Sequence, residues 1–397
     1  YEFTSLKKYL GDAPGDYDGD AVSAAPLDYV SVRADELVRA GMESGSVAVL
    51  QNGDSLVVAV YAGSSAEKDG EILVSSGTPE SFRELLESGT VVKGGYGLKE
   101  CWKWLMGQGI EMNGPLYDVE LMDYLINPEK SHKIEVLSRT ILGVGIEDDT
   151  AGPGEKTELS LFDDAAETTE KDRSREAAIG LALALKVRSN IEELGLSKLY
   201  DDIEEPLIRV LAKMEIEGVK VDLNQLRRYS DSLSVELAQI QERIRKDAGE
   251  PNLNILSPKQ IGVLLFEKLK LNPKIKAKKD VRYEYPTDED TLVGLLDKHP
   301  VVADILEYRA VRKLLSTYIE PFHSFVSPVT GKIHTTFNQA LTSTGRLSSS
   351  KPNLQNIPVR SERGKEIRRA FVPSRPDGVI VSADYSQIEL RIMAHLS

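Results

Sequence analysis

Two carboxylates near the carboxyl terminus have a spacing that could support metal chemistry. Asp384 follows an apolar, β-branched run at residues 379–381, which predicts a buried strand. Ser386 and Glu389 form a capping-box pattern, which predicts that a helix begins directly after that strand. A carboxylate at the end of a rigid strand is fixed and open to solvent, as a ligand of Mg²⁺ must be. Taken alone, however, Asp384 could be a solvated residue and Glu389 only a capping partner.

A longer match gives these residues a context. The stretch SADYSQIELRIMAHLS at residues 382–397 resembles the first catalytic motif of family A DNA polymerases. Residues 334–349 and 352–360 resemble the palm segment of that family, which grips primer and template near the growing end. Their amide and guanidinium groups suit the acceptors that both A·T and G·C pairs present in the minor groove. A solvated Ser/Thr-rich loop is the alternative interpretation.

The resemblance implies a template-directed DNA polymerase that adds deoxynucleotides from dNTP to the 3′-OH of primer-template DNA. Two Mg²⁺ ions about 4 Å apart would be its cofactors. Asp384 would bridge both ions, and the carbonyl of Tyr385 would complete one shell. Glu389, with Gln387 nearby, would bind the nucleotide and exclude a 2′-OH. The residues implied to contact DNA are Arg346, Asn353, Gln355, Asn356 and Arg360.

The charge of the chain is unevenly distributed. The net charge is −14, yet residues 331–397 hold ten Lys and Arg against five Asp and Glu. A basic segment on an acidic protein attracts a polyanion to one face. The densest cluster runs from Arg360 to Arg369, and a solvated helix face is the alternative for it. A second basic loop, at residues 274–282, predicts phosphate binding by Lys276, Lys278 and Lys279, or else a solvated loop.

Length and pattern predict several domains in these 397 residues. Residues 1–25 are predicted to be a linker, and residues 26–198 an α/β domain in which an Asn-Gly turn joins two strands. Helices are predicted at 117–125 and 223–248, and a solvent loop at 147–170. The resemblance implies an α/β exonuclease-like (ribonuclease H-like) domain at 26–198. A mainly helical thumb at 199–330 and the beginning of an α+β palm at 331–397 would follow.

The first domain lacks the carboxylates that 3′–5′ excision needs in this family. That chemistry uses four carboxylates on two metal ions. At the corresponding places the chain has residues 50–52 (Leu-Gln-Asn), Tyr96-Gly97 and apolar residues within 175–181. Asp118 and Asp123 are present, but their partners are missing. We therefore predict a retained structural module without proofreading.

Cysteine content and hydropathy limit the class of protein. The one cysteine, Cys101, excludes a disulfide framework and predicts an inert buried thiol in a reducing cytoplasm. No apolar run approaches the ~20 residues that span a bilayer. We expect a cytoplasmic monomer that does not bind membranes.

The family continues beyond its first catalytic motif into a fingers helix and a second catalytic Asp, which this sequence does not contain. We therefore expect the chain to be a piece of a longer polymerase and to be inactive alone. A non-catalytic module that binds primer-template DNA is the alternative from a different class of function.

Overall fold

The computed structural model describes residues 27–62, 70–146, 164–272, 285–359 and 361–397, with side chains from residue 171 onward in the third range. The chain divides into two compact units, residues 1–216 with 337–348 and residues 217–336 with 349–397. The predicted linker, most of the predicted solvent loop and the basic loop at 274–282 lie outside the described residues. Four predicted DNA contacts lie outside them as well: Lys276, Lys278, Lys279 and Arg360.

One mixed sheet of six strands, in the order β1-β4-β3-β2-β5-β6, organises the first unit. Its strands are β1 (Tyr29–Ser31), β2 (Ser46–Asn52), β3 (Ser55–Tyr61), β4 (Ile72–Gly77), β5 (Val92–Gly95) and β6 (Leu116–Asp118). The predicted hairpin is confirmed, since β2 and β3 are antiparallel with Val49 opposite Val58. Its turn places Gly53 at φ +58°, a conformation that glycine adopts without steric penalty.

Helices bury both sides of this sheet. The α-helices up to residue 217 are α1 (Ala34–Ser44), α2 (Arg83–Glu87), α3 (Leu98–Gly107), α4 (Val119–Ile126), α5 (Ile134–Leu137), α6 (Asp164–Glu193), α7 (Ser197–Leu199) and α8 (Glu205–Glu217). Successive residues of β2 point to opposite layers, because side chains alternate along a strand. Val47 packs in the layer that contains Leu37 of α1, and Ala48 packs in the layer that contains Ala178 of α6. The approach of α6 is close: a Cβ added at Gly94 would lie 2.7 Å from a methyl group of that helix.

Two sequence predictions in this unit need correction. The helix predicted for residues 117–125 begins at Val119, because residues up to Asp118 pair with β5 as strand β6. The side chain of Asp118 then accepts a hydrogen bond from the N–H of Leu121 and caps α4. The predicted solvent loop does not reach residue 170, since α6 begins at Asp164.

Long helices organise the second unit. The α-helices of this unit, long and short, are α9 (Leu223–Ala248), α10 (Pro258–Gly262), α11 (Glu289–Val293), α12 (Pro300–Leu314), α13 (Phe322–Phe325), α14 (Glu362–Arg369) and α15 (Ile388–Leu396). The predicted helix at 223–248 is confirmed with the same bounds. Asp222 begins it by accepting from two backbone N–H groups. Leu226, Leu233 and Ile240 recur every seven residues along α9, which packs against α12.

Five short strands lie between residues 219 and 372 in the described part of the chain. They are β7 (Val219–Val221), β8 (Lys332–Ile333), β9 (Thr336–Asn338), β10 (Ser348–Ser350) and β11 (Phe371–Val372). Strands β11, β7 and β8 form an antiparallel sheet, and β9 pairs with β10. Across the described ranges, no helix is long and apolar enough to cross a bilayer.

Candidate nucleic-acid interface

A buried glutamate fixes the start of the polar segment at residues 337–348. Glu215 lies on the apolar side of α8, in line with Ile208 and Leu211, and is 3% exposed. Its Oε1 accepts a hydrogen bond from the backbone N–H of Phe337 at 2.7 Å. A buried carboxylate requires hydrogen-bonded partners, and here one of them is the backbone of this segment.

Two lysines of α3 neutralise this carboxylate. Lys99 Nζ lies 2.5 Å from Glu215 Oε1, and Lys103 Nζ lies 2.5 Å from Oε2. Lys99 also donates to the carbonyl of Phe337. Burial acts to raise the pKa of Glu215, but hydrogen bonds from Lys103, Lys99 and the Phe337 N–H outweigh it, so the pKa lies below its usual value. The carboxylate is therefore ionised, with Lys99, Lys103 and the Phe337 N–H among its donors.

A buried tyrosine holds the turn that follows. Tyr124 of α4 is 4% exposed, and its hydroxyl donates to the carbonyl of Thr342 at 2.7 Å. The same hydroxyl accepts from the N–H of Gly345 at 3.1 Å. Thr342 Oγ1 donates to the carbonyl of Arg346 at 2.6 Å. Arg346 itself is exposed, and its guanidinium forms no hydrogen bond or ion pair with the part of the chain that the structure describes.

A buried pair of hydroxyls supports a second polar turn, in the second unit. The hydroxyls of Thr335 and Ser349 are 2.7 Å apart, and both residues are buried. Ser349 Oγ accepts from the N–H of Leu354 at 3.1 Å, and Thr335 Oγ1 donates to the carbonyl of Pro352 at 2.8 Å. These bonds fix the two ends of the turn at residues 349–354.

Three predicted DNA contacts lie on or beside this turn, and all three are exposed. Asn353 Oδ1 accepts from the backbone N–H groups of Gln355 and Asn356 at 3.0 and 3.3 Å. Gln355 Oε1 accepts from the N–H of Ser349 at 3.2 Å. The structure thus brings Asn353, Gln355 and Asn356 together on one rigid, solvent-facing turn.

Most of the cations on α14 pair with carboxylates. Arg363 binds Glu236 of α9 and lies 2.9 Å from Glu307 of α12, so it joins three helices. Lys365 pairs with a glutamate one turn earlier at 2.6 Å, and Arg369 pairs in the same way. Arg368 is exposed and has no ion pair with the described residues. Arg363 is therefore used in packing between helices, whereas Arg368 is exposed to solvent.

The carboxyl-terminal motif differs from its predicted local structure. The apolar residues Val379, Ile380 and Val381 form no strand and are 80%, 61% and 82% exposed. A strand requires a hydrogen-bonded neighbour, and no strand within the described residues pairs with this run. The predicted strand before Asp384 is therefore absent from the structure.

The predicted capping box is also wrong. The residue that precedes α15 is Gln387, at φ 57° and without a side-chain cap, so Ser386 does not cap the helix. Arg391 Nε instead donates to the carbonyl of Ser386 at 2.9 Å, which closes the first turn. Glu389 lies in that turn and Tyr385 precedes it, both exposed, as is Asp384.

The donor groups at the carboxyl terminus are too few for the metal site that the resemblance implies. Asp384 and the carbonyl of Tyr385 are oxygen donors of the kind that Mg²⁺ prefers. No three His, Cys, Asp or Glu side chains are grouped to hold a metal ion anywhere in the described ranges. By their chemistry the two donors suit a hydrated Mg²⁺ ion, but they do not by themselves make the two-ion site that the resemblance implies.

The acidic residues of the first unit have structural partners. Asp118 is 5% exposed and accepts from the N–H of Leu98 at 2.7 Å, and burial raises its pKa to about 6. Asp123 lies 2.6 Å from Nδ1 of His132. Cys101 is buried as predicted, and burial raises its pKa to about 12. These contacts support α3 and α4, the two helices that carry Lys99 and Tyr124.

Sequence reasoning missed Tyr124, Glu215, Lys99 and Lys103. Of these four residues, only Glu215 could have been identified from the sequence. A glutamate in line with Ile208 and Leu211 on an amphipathic helix is predicted to be buried and to need a partner. Tyr124 has no such signal, because aromatic residues are common in helix cores.

The residues described above lie in a part of the chain that is similar to known proteins. Residues 223–397, which include both the turn at 349–356 and the carboxyl-terminal motif, match the family model described as DNA polymerase family A. From residue 223 onward, the chain is similar to DNA polymerase family A. Its relatives include the DNA polymerase I of Bacillus subtilis, 42% identical over 80% of this chain and 36% of the relative. The DNA polymerase I of Lactococcus lactis subsp. lactis is 38% identical over 89% of this chain and 40% of that relative.

A solved structure of the family extends the likeness to the first unit. The POL domain of Pol1 from M. smegmatis, in complex with DNA primer-template and dNTP, superposes with a TM-score of 0.73 at 29% identity. The match covers 91% of this chain and 61% of that one. The chain thus spans between about a third and two fifths of the length of these curated family A relatives.

Proposed function

We propose that this chain is the part of a template-directed DNA polymerase that binds primer-template DNA and carries the first metal-binding carboxylate. The observation that supports this most strongly is the family A match, which includes Asp384 in its motif. The solved relative was captured with DNA primer-template and dNTP, and these are the partners we propose here.

Each group in the interface has a proposed role. Asp384 and the carbonyl of Tyr385 would hold Mg²⁺, and two such ions would supply activation of the primer 3′ oxygen and charge compensation on the leaving pyrophosphate. Glu389, with Gln387, faces the sugar of the incoming nucleotide. The residues proposed to contact DNA are Arg346, Asn353, Gln355, Asn356, Arg360, Lys276, Lys278 and Lys279.

The first unit is proposed to be an exonuclease-like, ribonuclease H-like module without excision activity. A mixed sheet buried between helices supports the proposal, as does the structural use of Asp118. We propose a functional thumb domain at residues 199–330 and a functional palm domain at residues 331–397. These domains differ from the compact units, because residues 199–216 and 337–348 group with the first unit. A cytoplasmic monomer is likewise proposed.

Two assays test this function against the non-catalytic alternative. Fluorescence anisotropy of a labelled primer-template should report salt-dependent binding by the 397-residue chain, because the contacts are mainly to phosphate. Primer extension by the complete polymerase should then add matched dNTP in Mg²⁺. Binding by a complete protein that never extends the primer would support the binding module, and absence of both would contradict both proposals.

A further inference from the structure

We propose that Tyr124 is a positioning residue for Arg346, so that the nuclease-like unit aligns a DNA-contacting side chain of the polymerase. The inference rests on the proposed function, in which Arg346 contacts DNA. It assigns the first unit a role in synthesis that needs no excision chemistry.

The geometry that carries the proposal is a single hydroxyl that holds both ends of a turn. Tyr124 Oη donates to the carbonyl of Thr342 and accepts from the N–H of Gly345, at 2.7 and 3.1 Å. Gly345 has φ +74°, and the next residue is Arg346. The hydroxyl therefore fixes the backbone on both sides of the dipeptide at 343–344 and sets the direction in which the chain enters Arg346.

A second bond extends this support to Arg346 itself. Thr342 Oγ1 donates to the carbonyl of Arg346 at 2.6 Å, so the residue held by Tyr124 in turn holds Arg346. The guanidinium forms no hydrogen bond or ion pair with the described residues, and its position depends on its backbone. Displacement of a contacting group by about 1 Å can lower a rate about a hundredfold.

The rest of the segment is anchored to the same unit. Phe337 is bound by Glu215 and Lys99, and Gln339 Nε2 donates to the carbonyl and Oε2 of Glu204 at 3.1 and 3.0 Å. With these anchors at the start of the segment, loss of the Tyr124 hydroxyl would free the turn alone.

A double-mutant cycle in the complete polymerase tests the proposal. Tyr124→Phe keeps the ring and removes both hydrogen bonds, and Arg346→Ala removes the positioned group. We expect Tyr124→Phe to lower single-nucleotide incorporation by roughly fivefold to tenfold in kcat, with the Kd for primer-template nearly unchanged because phosphate contacts dominate affinity. In the Arg346→Ala background, Tyr124→Phe should have less than about a twofold further effect, since coupled residues are not additive.

Tyr200→Phe is a matched control. Tyr200 is buried in the same unit, and its hydroxyl also bridges two backbone groups, the carbonyl of Leu116 at 2.8 Å and the N–H of Asp118 at 2.9 Å. It has no bond to the segment at 337–348 among the described residues. Its loss should lower the melting temperature as much as Tyr124→Phe does and leave kcat unchanged.

Thr342→Val supplies a second variant, since it removes the bond to the Arg346 carbonyl without touching the tyrosine. It should lower kcat and should also lose its effect in the Arg346→Ala background. The positioning role would be overturned if Tyr124→Phe lowered kcat equally in the wild type and in Arg346→Ala. It would also be overturned if kcat fell in proportion to melting temperature in both Tyr124→Phe and Tyr200→Phe. Wild-type kcat in Arg346→Ala would instead overturn the proposed DNA contact on which the inference rests.

Discussion

Glu215 and Phe337 are 122 residues apart in sequence, yet the glutamate Oε1 lies 2.7 Å from the phenylalanine backbone nitrogen. The contact joins helix α8 to the strand that begins the polar segment carrying Arg346. Since Lys99 and Lys103 bind the same carboxylate, one buried side chain ties three parts of the first unit together.

Glu215→Gln should therefore destabilise the first unit strongly. The amide cannot balance two lysines that are 15% and 22% exposed, and an unpaired buried charge costs about 3 kcal/mol or more. Urea unfolding measures the change in free energy. Glu100→Gln is the control, because Glu100 also binds Lys103 but is 60% exposed, and surface pairs contribute about 0–1 kcal/mol. Equal losses in the two variants would contradict a buried ion cluster.

Asp118 should give the first unit an acid-dependent stability. Its folded-state pKa is about 6, above the ordinary value of 3.8, because burial disfavours the charged form. The folded state then binds the proton more tightly, so this stabilising contribution is fully present below pH 3.8 and is lost as the pH rises through 6.

Asp118→Asn cannot titrate, so the unfolding free energy of the wild type minus that of the variant should fall with rising pH. The fall between about pH 4 and pH 7 should be at most about 3 kcal/mol. Urea titrations at several pH values measure it, with Asp54→Asn, an exposed turn residue, as the control. A difference that stays constant with pH would show that Asp118 has an ordinary pKa.

Two arginines of α14 should separate stability from DNA binding. Arg363→Met removes a side chain that binds Glu236 and Glu307, and we expect a loss of about 1–3 kcal/mol in unfolding free energy. Arg368→Met should leave stability nearly unchanged and weaken primer-template binding. The slope of log affinity against log salt should decrease by about one for each phosphate that the protein no longer neutralises. A salt slope that changes for Arg363→Met and not for Arg368→Met would reverse these assignments.

Glu389→Ala tests sugar selection. The residue is exposed in the first turn of α15, and Ser386 does not cap that helix, so we expect a stability change below about 1 kcal/mol. If Glu389 fills the space of a 2′-OH, the alanine variant of the complete polymerase should incorporate ribonucleotides more readily than the wild type does. Single-nucleotide incorporation of matched deoxy- and ribonucleotides measures the ratio. An unaltered ratio would leave Glu389 without the proposed role.

Local signals predicted much of the fold. Helix α9 has its predicted bounds because Asp222 caps its start and Gly249, at φ +64°, ends it. The β2–β3 hairpin was predictable because its turn needs only a glycine of positive φ. Both features depend on residues that are adjacent in sequence.

Features that depend on distant partners were not predictable. Residues 379–381 have strand propensity, but a strand forms only beside another, and none of the described strands pairs with them. The bonds from Tyr124 to Gly345 and from Glu215 to Phe337 join residues more than a hundred positions apart, which no local periodicity encodes. The site residues themselves were found through a motif, and their support was found only in the structure.

We propose that Asp384 is a metal-binding catalytic carboxylate on a DNA-binding framework. Asp384→Asn in the complete polymerase measures it most directly, with single-turnover incorporation and primer-template affinity determined on the same preparation. Removal of the charge should lower the incorporation rate by about a thousandfold or more, while Kd for primer-template stays within about threefold, because affinity rests on Lys and Arg contacts to phosphate. Wild-type incorporation by the Asn variant would contradict the proposed catalytic role of Asp384.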